Sequence, residues 1–136
     1  ARCLRIDVCK VERVINLDAV YTGGKGGQLL TWEWTASSTP YVIPPHHAAY
    51  AIYYAYTELV VDEARDAWIA VGSDDRSDLW INDFQVWQSS NQLKSWRIDE
   101  GFKKVHFRQG RNKLLLRLEN GWHATHFSVL VSTFEQ

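Results

Sequence analysis

Methionine is absent from this chain of 136 residues, cysteine occurs twice and proline three times. The longest apolar runs stop far short of the roughly 20 residues that a membrane-spanning helix requires, so no such helix is expected. Charge of either sign is also missing in excess. With 15 Lys and Arg against 16 Asp and Glu, the formal net charge is −1. Neither nucleic acid nor an anionic membrane is therefore expected as a partner. The chain opens at Ala1 with no methionine and no signal-peptide pattern, which points to a module cut from a longer or processed protein. Cys3 and Cys9 lie in a segment that alternates like a strand, Cys3-Leu4-Arg5-Ile6-Asp7-Val8-Cys9. On one extended strand their Cα atoms would stand about 20 Å apart, against a disulfide limit of roughly 7 Å. They stay thiols unless the chain reverses near Asp7.

Aromatic residues, by contrast, are plentiful: seven Trp, six Tyr and five Phe make up 13% of the chain. That usage suits sheet proteins with flat, adhesive surfaces. Alternation predicts strands along the whole length, beginning with Leu4, Ile6 and Val8 on one face. The cluster Gly23-Gly24-Lys25-Gly26-Gly27 lacks both a strand-to-helix frame and a following Lys-Ser/Thr pair, so it reads as a loop and not as a phosphate cradle. Leu30, Trp32 and Trp34 share a face of a short strand, and Pro40, Pro44 and Pro45 mark an irregular crossing. From Ala48 to Val61 runs a long, central strand.

The dipeptide Asn82-Asp83 predicts a two-residue hairpin turn, because both residues tolerate positive φ. The register then sets Ile81 opposite Phe84 and Leu79 opposite Val86 on a core face. Trp80 and Trp87 fall together on the other face, which is either outer surface or the roof of a groove beneath the glycine-rich loop. Beyond the turn Gln109-Gly110-Arg111-Asn112, Leu114, Leu116 and Leu118 point inward, and a last strand buries Phe127, Val129 and Val131. At least eight strands without a long amphipathic helix predict one all-β domain over residues 1–136, an antiparallel β-sandwich of jelly-roll type.

Asp74 and Asp75 end the apolar stretch Ala67-Trp68-Ile69-Ala70-Val71. Adjacent carboxylates repel unless a cation, hydrogen-bond donors or water separates them. A hard cation such as calcium would resolve the conflict and keep coordination positions for a polyhydroxylated ligand. A solvated turn would also hold these residues, since Asp is common in turns and Arg76 and Asp78 continue the polar stretch.

The motifs Tyr54-Ala55-Tyr56-Thr57, Gly72-Ser73-Asp74-Asp75, Trp80-Ile81-Asn82 and Gly110-Arg111-Asn112-Lys113-Leu114-Leu115 carry a resemblance. Over Ala48 to Val131 the chain resembles the carbohydrate-binding-type β-sandwich modules appended to bacterial polysaccharide-degrading enzymes, with a galactose-binding-like jelly roll. More distantly it is similar to the protective-antigen-type lectin domains of flocculin adhesins. In those, an Asp-Asp pair joined by a cis peptide holds calcium and sugar hydroxyls complete the shell. Matched by motif, the resemblance implies Asp74, Asp75, Asn120 and the carbonyls of Trp122 and Ala124 as calcium ligands.

Other groupings point less firmly to chemistry. His46-His47 and His123-x-x-His126 have no acidic or cysteine ligand tied to them by spacing. Tyr53, Tyr54, Tyr56, His106 and Glu58 offer acid–base groups, but the tyrosines sit at strand periodicity, where packing accounts for them. No paired carboxylates at glycosidase separation are evident. The expectation is a non-catalytic module, extracellular and attached to a catalytic domain, that binds polysaccharide or oligosaccharide. A spacer domain that only orients its neighbour is the alternative. A sugar site needs an aromatic platform flanked by polar side chains. Trp87, Trp96 and Trp122 beside Arg76, Asn91 and Asn120 are the candidates, while Trp32, Trp34 and Trp68 are expected in the core.

Overall fold

A computed structural model describes residues 2–5, 15–23, 28–46, 48–90, 94–122 and 124–132. Among them are eleven strands and no helix: β1 (Arg2–Arg5), β2 (Val20–Gly23), β3 (Gln28–Thr31), β4 (Glu33–Trp34), β5 (Ala51–Val61), β6 (Arg65–Asp74), β7 (Arg76–Ile81), β8 (Phe84–Gln88), β9 (Gly101–Phe107), β10 (Gly110–Asn120) and β11 (His126–Ser132). A six-stranded sheet runs β4-β1-β5-β10-β7-β8, a three-stranded sheet β11-β6-β9, and β2 pairs with β3. Every pairing is antiparallel.

The fold is all-β and sandwich-like because one core draws on both large sheets. Tyr53 and Ala55 of β5, Leu79 and Ile81 of β7 and Leu114, Leu116 and Leu118 of β10 pack with Ile69 and Val71 of β6, Phe107 of β9 and Phe127 of β11. Strand periodicity explains the selection, since every second residue of β10 faces the same way. The opposite parity of the six-stranded sheet is covered as well. Tyr54, Tyr56 and Leu115 bury with Trp32 against Leu17, Tyr21, Leu30 and Trp80, so the β2–β3 hairpin and its flanks form a further layer.

β5 and β10, eleven residues each, pair along their full length and form the middle of the large sheet. The long central strand is thus present, but it starts at Ala51. Tyr50 has φ of 52°, a left-handed conformation that ends the extended run. Asn82 and Asp83 both take positive φ, 49° and 72°, as the hairpin turn demands. Asn112 is fully buried and accepts from Asn82 Nδ2 and Arg108 N–H while donating to carbonyls of Leu59, Arg108 and Gly110, which locks two turns together.

Several expectations change. A bulge between Leu79 and Trp80 pairs Leu79 with Trp87 instead of Val86, while Ile81 still faces Phe84. One extra residue on β8 flips every side chain beyond it. Trp80 therefore packs in the outer layer and Trp87 against the inner core, on opposite faces. Trp34 is not core: it stands 74% exposed on the two-residue edge strand β4, whereas Trp32 is buried. Val131 is also exposed, near the end of edge strand β11. Ile6, Val8, Cys9 and Gly24 to Gly27 lie outside the described residues.

Candidate functional site at the crossover end of the sandwich

The chain passes from the small sheet to the large one at Asp74–Asp75, between β6 and β7, and returns through residues 121–125, between β10 and β11. Both crossovers lie at the same end, because Asp74 pairs with His126 and Arg76 with Glu119. The Asp74–Asp75 peptide bond is cis.

Asp75 organises this end. It is 8% exposed, its N–H donates to the Glu119 carbonyl, and its carboxylate accepts two backbone donors. Oδ1 takes Lys94 N–H at 2.9 Å and Oδ2 takes Gly121 N–H at 2.6 Å. One buried anion thus joins three segments far apart in sequence. Beneath it, Ser73 Oγ bonds to Ser77 Oγ and to the Asp75 carbonyl, and Ser77 receives the Trp87 indole N–H. Lys94 Nζ reaches the Ser73 carbonyl and Glu100, both at 2.6 Å, and Glu100 accepts Ser73 N–H. The cation therefore offsets the Glu100 charge inside a half-buried network.

Asp74 is half-buried. Burial first, and then the neighbouring Asp75 charge, raise its carboxyl above the usual pKa, against the lowering effect of His126 and Lys94. The implied calcium donors are all oxygen, as a hard cation prefers. Asp75 keeps lone pairs beyond its two N–H contacts, and a dication would relieve the cost of ionising Asp74, so the set fits. Among the described residues no three His, Cys, Asp or Glu side chains converge, so such a site would depend on Asn120 and on the carbonyls of Trp122 and Ala124 beside the two carboxylates.

Around the corner lies a cleft of about 350 Å³ lined by Tyr50, Ala51, Ile52, Arg76, Glu119, Asn120 and Gly121. Tyr50 is held by its N–H bond to the Gly121 carbonyl, while the Tyr53 hydroxyl accepts Ala48 N–H and donates to the His46 carbonyl. Asn120 Nδ2 donates to the Ala48 carbonyl. These bonds fix the entry to β5 and leave Tyr50 79% exposed; Trp122, after Gly121, is 63% exposed. The cleft wall is charged. Glu119 Oε2 lies 3.5 Å from Arg76 Nε and 3.3 Å from Arg117 Nη1, which also pairs with Asp78. Burial works against the Arg117 cation, yet the charge of Glu119 and the other anionic neighbours carry its pKa above the ordinary value.

Of the sequence candidates, Arg76 and Asn120 line this cleft; Asp75 adjoins it through its bond from Gly121 N–H, and Trp122 follows Gly121 in the chain. Asn120 is buried, and Ala124 is exposed. Two tryptophans are spent on packing. Trp87 is half-buried, its indole N–H bonded to Ser77, with its ring so close to Gly101 that an added Cβ there would sit 2.1 Å away. Trp96 lies over Gly72 with its N–H on Ser128 Oγ and its ring 5.3 Å from Tyr41. Asn91, His47 and His123 fall outside the described residues. His46 pairs instead with Glu33, and His126 meets the Tyr41 ring.

Of the acid–base groups, Tyr56 donates to Glu58 at 2.9 Å, while Tyr53 faces the inner core, Tyr54 packs in the outer layer and His106 bonds to Asp66. Tyr50 and Glu119 escaped the sequence reading. Alternation placed Tyr50 inside the long strand, and nothing local announced its positive φ. No family model matches the chain, and no curated protein is significantly similar to it.

Proposed function

We propose that this protein is a non-catalytic carbohydrate-binding module of jelly-roll type that holds an attached, extracellular polysaccharide-degrading enzyme on its substrate. The observation that carries the reading is a small cleft between fixed loops that sets the exposed Tyr50 beside Arg76 and Glu119, with exposed Trp122 next in the chain to its lining residue Gly121. Sugars present an apolar C–H face and a rim of hydroxyls, so a ring platform beside guanidinium and carboxylate groups matches both. Bound calcium, held by Asp74, Asp75, Asn120 and the carbonyls of Trp122 and Ala124, would supply a hard Lewis acid for sugar hydroxyls. The protein residues pre-order the loops, which lowers the entropic cost of binding. Affinity electrophoresis through soluble polysaccharides, with and without chelator, tests the reading. Retention on at least one glycan is expected, and retention on none would count against it.

One observation favours the spacer reading. The outer face of the β11-β6-β9 sheet carries a groove of about 630 Å³ lined by Trp68, Ala70, Ile98, Phe102 and Leu130, apolar enough to seat a neighbouring domain. Wild-type protein retained on none of the polysaccharides tested, with the fold intact, would shift weight toward that reading.

A further inference from the structure

We propose that the cleft beside Asp75 recognises a single uncharged hexopyranose at a chain end or short branch, its ring against Tyr50 and its hydroxyls shared between Arg76 and Glu119. This rests on the carbohydrate reading above and narrows it to one ligand class and one set of contacts. Size is the first argument. The cleft measures about 350 Å³, near the floor of the roughly 300–1,000 Å³ range of small-molecule sites. A cleft of that size engages a short sugar unit and leaves the rest of a chain in solvent.

The wall chemistry is the second argument. Arg76 and Glu119 both line the cleft with part-exposed side chains, 3.5 Å apart at Nε and Oε2, and Glu119 Oε2 is shared with Arg117 Nη1 at 3.3 Å. A donor and an acceptor side by side complement neighbouring hydroxyls, each of which donates and accepts. Charge is the third. Arg76 and Arg117 are matched by Glu119 and Asp78, while Asp74 and Asp75 add negative charge at the same corner. A uronic acid would meet repulsion there, but a neutral sugar would not. Finally, the Tyr50 N–H bond to the Gly121 carbonyl fixes the backbone that carries its exposed ring at the cleft.

The test titrates the whole chain with methyl glycosides of glucose, galactose and mannose and with glucuronic and galacturonic acids, alongside retention on a glucan, a galactan, a mannan and a xylan. At least one neutral glycoside should bind and compete with the retained polysaccharide, with the uronic acids weaker. Glu119→Gln should weaken that binding by about tenfold or more, the worth of a hydrogen bond to a charged group. Because Glu119 also neutralises Arg117, a second variant guards against misfolding. Tyr50→Gly suits the left-handed backbone, leaves the fold intact and should cost a comparable factor. Polysaccharide retention that no neutral glycoside competes, and that both variants keep, would overturn the cleft assignment and leave the carbohydrate reading standing. Tighter binding of a uronic acid would overturn the neutral class. Absence of binding to every probe would overturn both.

Discussion

Replacing Asp75 by Ala strips the acceptor from two backbone N–H groups, that of Lys94, part-buried, and that of Gly121, buried. Hydrogen bonds to a charged partner contribute about 1.5–3 kcal/mol each, which sets a gross loss of about 3–6 kcal/mol. Removing a buried carboxylate returns part of its desolvation cost, and water can reach the opened loops, so a net destabilisation of about 2–4 kcal/mol is expected. For a domain of this size each kcal/mol moves the melting temperature by about 3–5 °C, so the variant should melt about 6–20 °C lower. Asp75→Asn separates charge from shape, because its amide keeps one acceptor but sets an NH2 group against the second N–H donor. It should recover less than half of the loss.

The assay is thermal unfolding followed by two probes, with each protein measured in calcium and in chelator. The staple itself needs no metal, so a large Asp75→Ala loss must persist in chelator. If calcium also binds, wild type alone should gain stability on its addition, since a ligand of the folded state stabilises by mass action. An Asp75→Ala melt within about 1 °C of wild type in both buffers, well inside the expected shift, would refute the staple argument.

Trp122→Ala should leave the melt nearly unchanged but abolish most polysaccharide retention, whereas Trp87→Ala should cost about 3–5 kcal/mol while the surviving folded fraction still binds. Calorimetric melts beside affinity gels distinguish the two. Gly101→Ala should destabilise by about 1–3 kcal/mol in chemical unfolding, because its Cβ would enter the Trp87 ring, which the Ser77 bond holds in place. A phenolate titration by ultraviolet absorbance should find Tyr56 ionising at about 12 and not at 10.0, raised by burial and then by its hydrogen bond to Glu58. The sign follows: the neutral phenol's contribution is complete below pH 10.0 and disappears as the pH rises toward 12, and Tyr56→Phe should remove that alkaline loss.

Local pattern alone accounts for much of this protein. Alternation placed Leu114, Leu116 and Leu118 on the core face of β10, and the φ tolerance of Asn82 and Asp83 placed the hairpin, because side-chain parity and turn geometry are properties of a few consecutive residues. The carboxylate conflict at Asp74 and Asp75 was also visible as adjacency. Its resolution was not, since the donors come from Lys94 and Gly121, and no local rule specifies such distant partners. Only the tertiary structure decided which tryptophans remain on the surface. A single bulged residue at Leu79/Trp80 turned Trp87 inward, edge position left Trp34 outside, and the hairpin layer covered Trp80. The cleft belongs to the same class. Tyr50, Arg76 and Glu119 meet because β5, β10 and β7 lie side by side in register, and that register is set by burying both faces of the sheet at once.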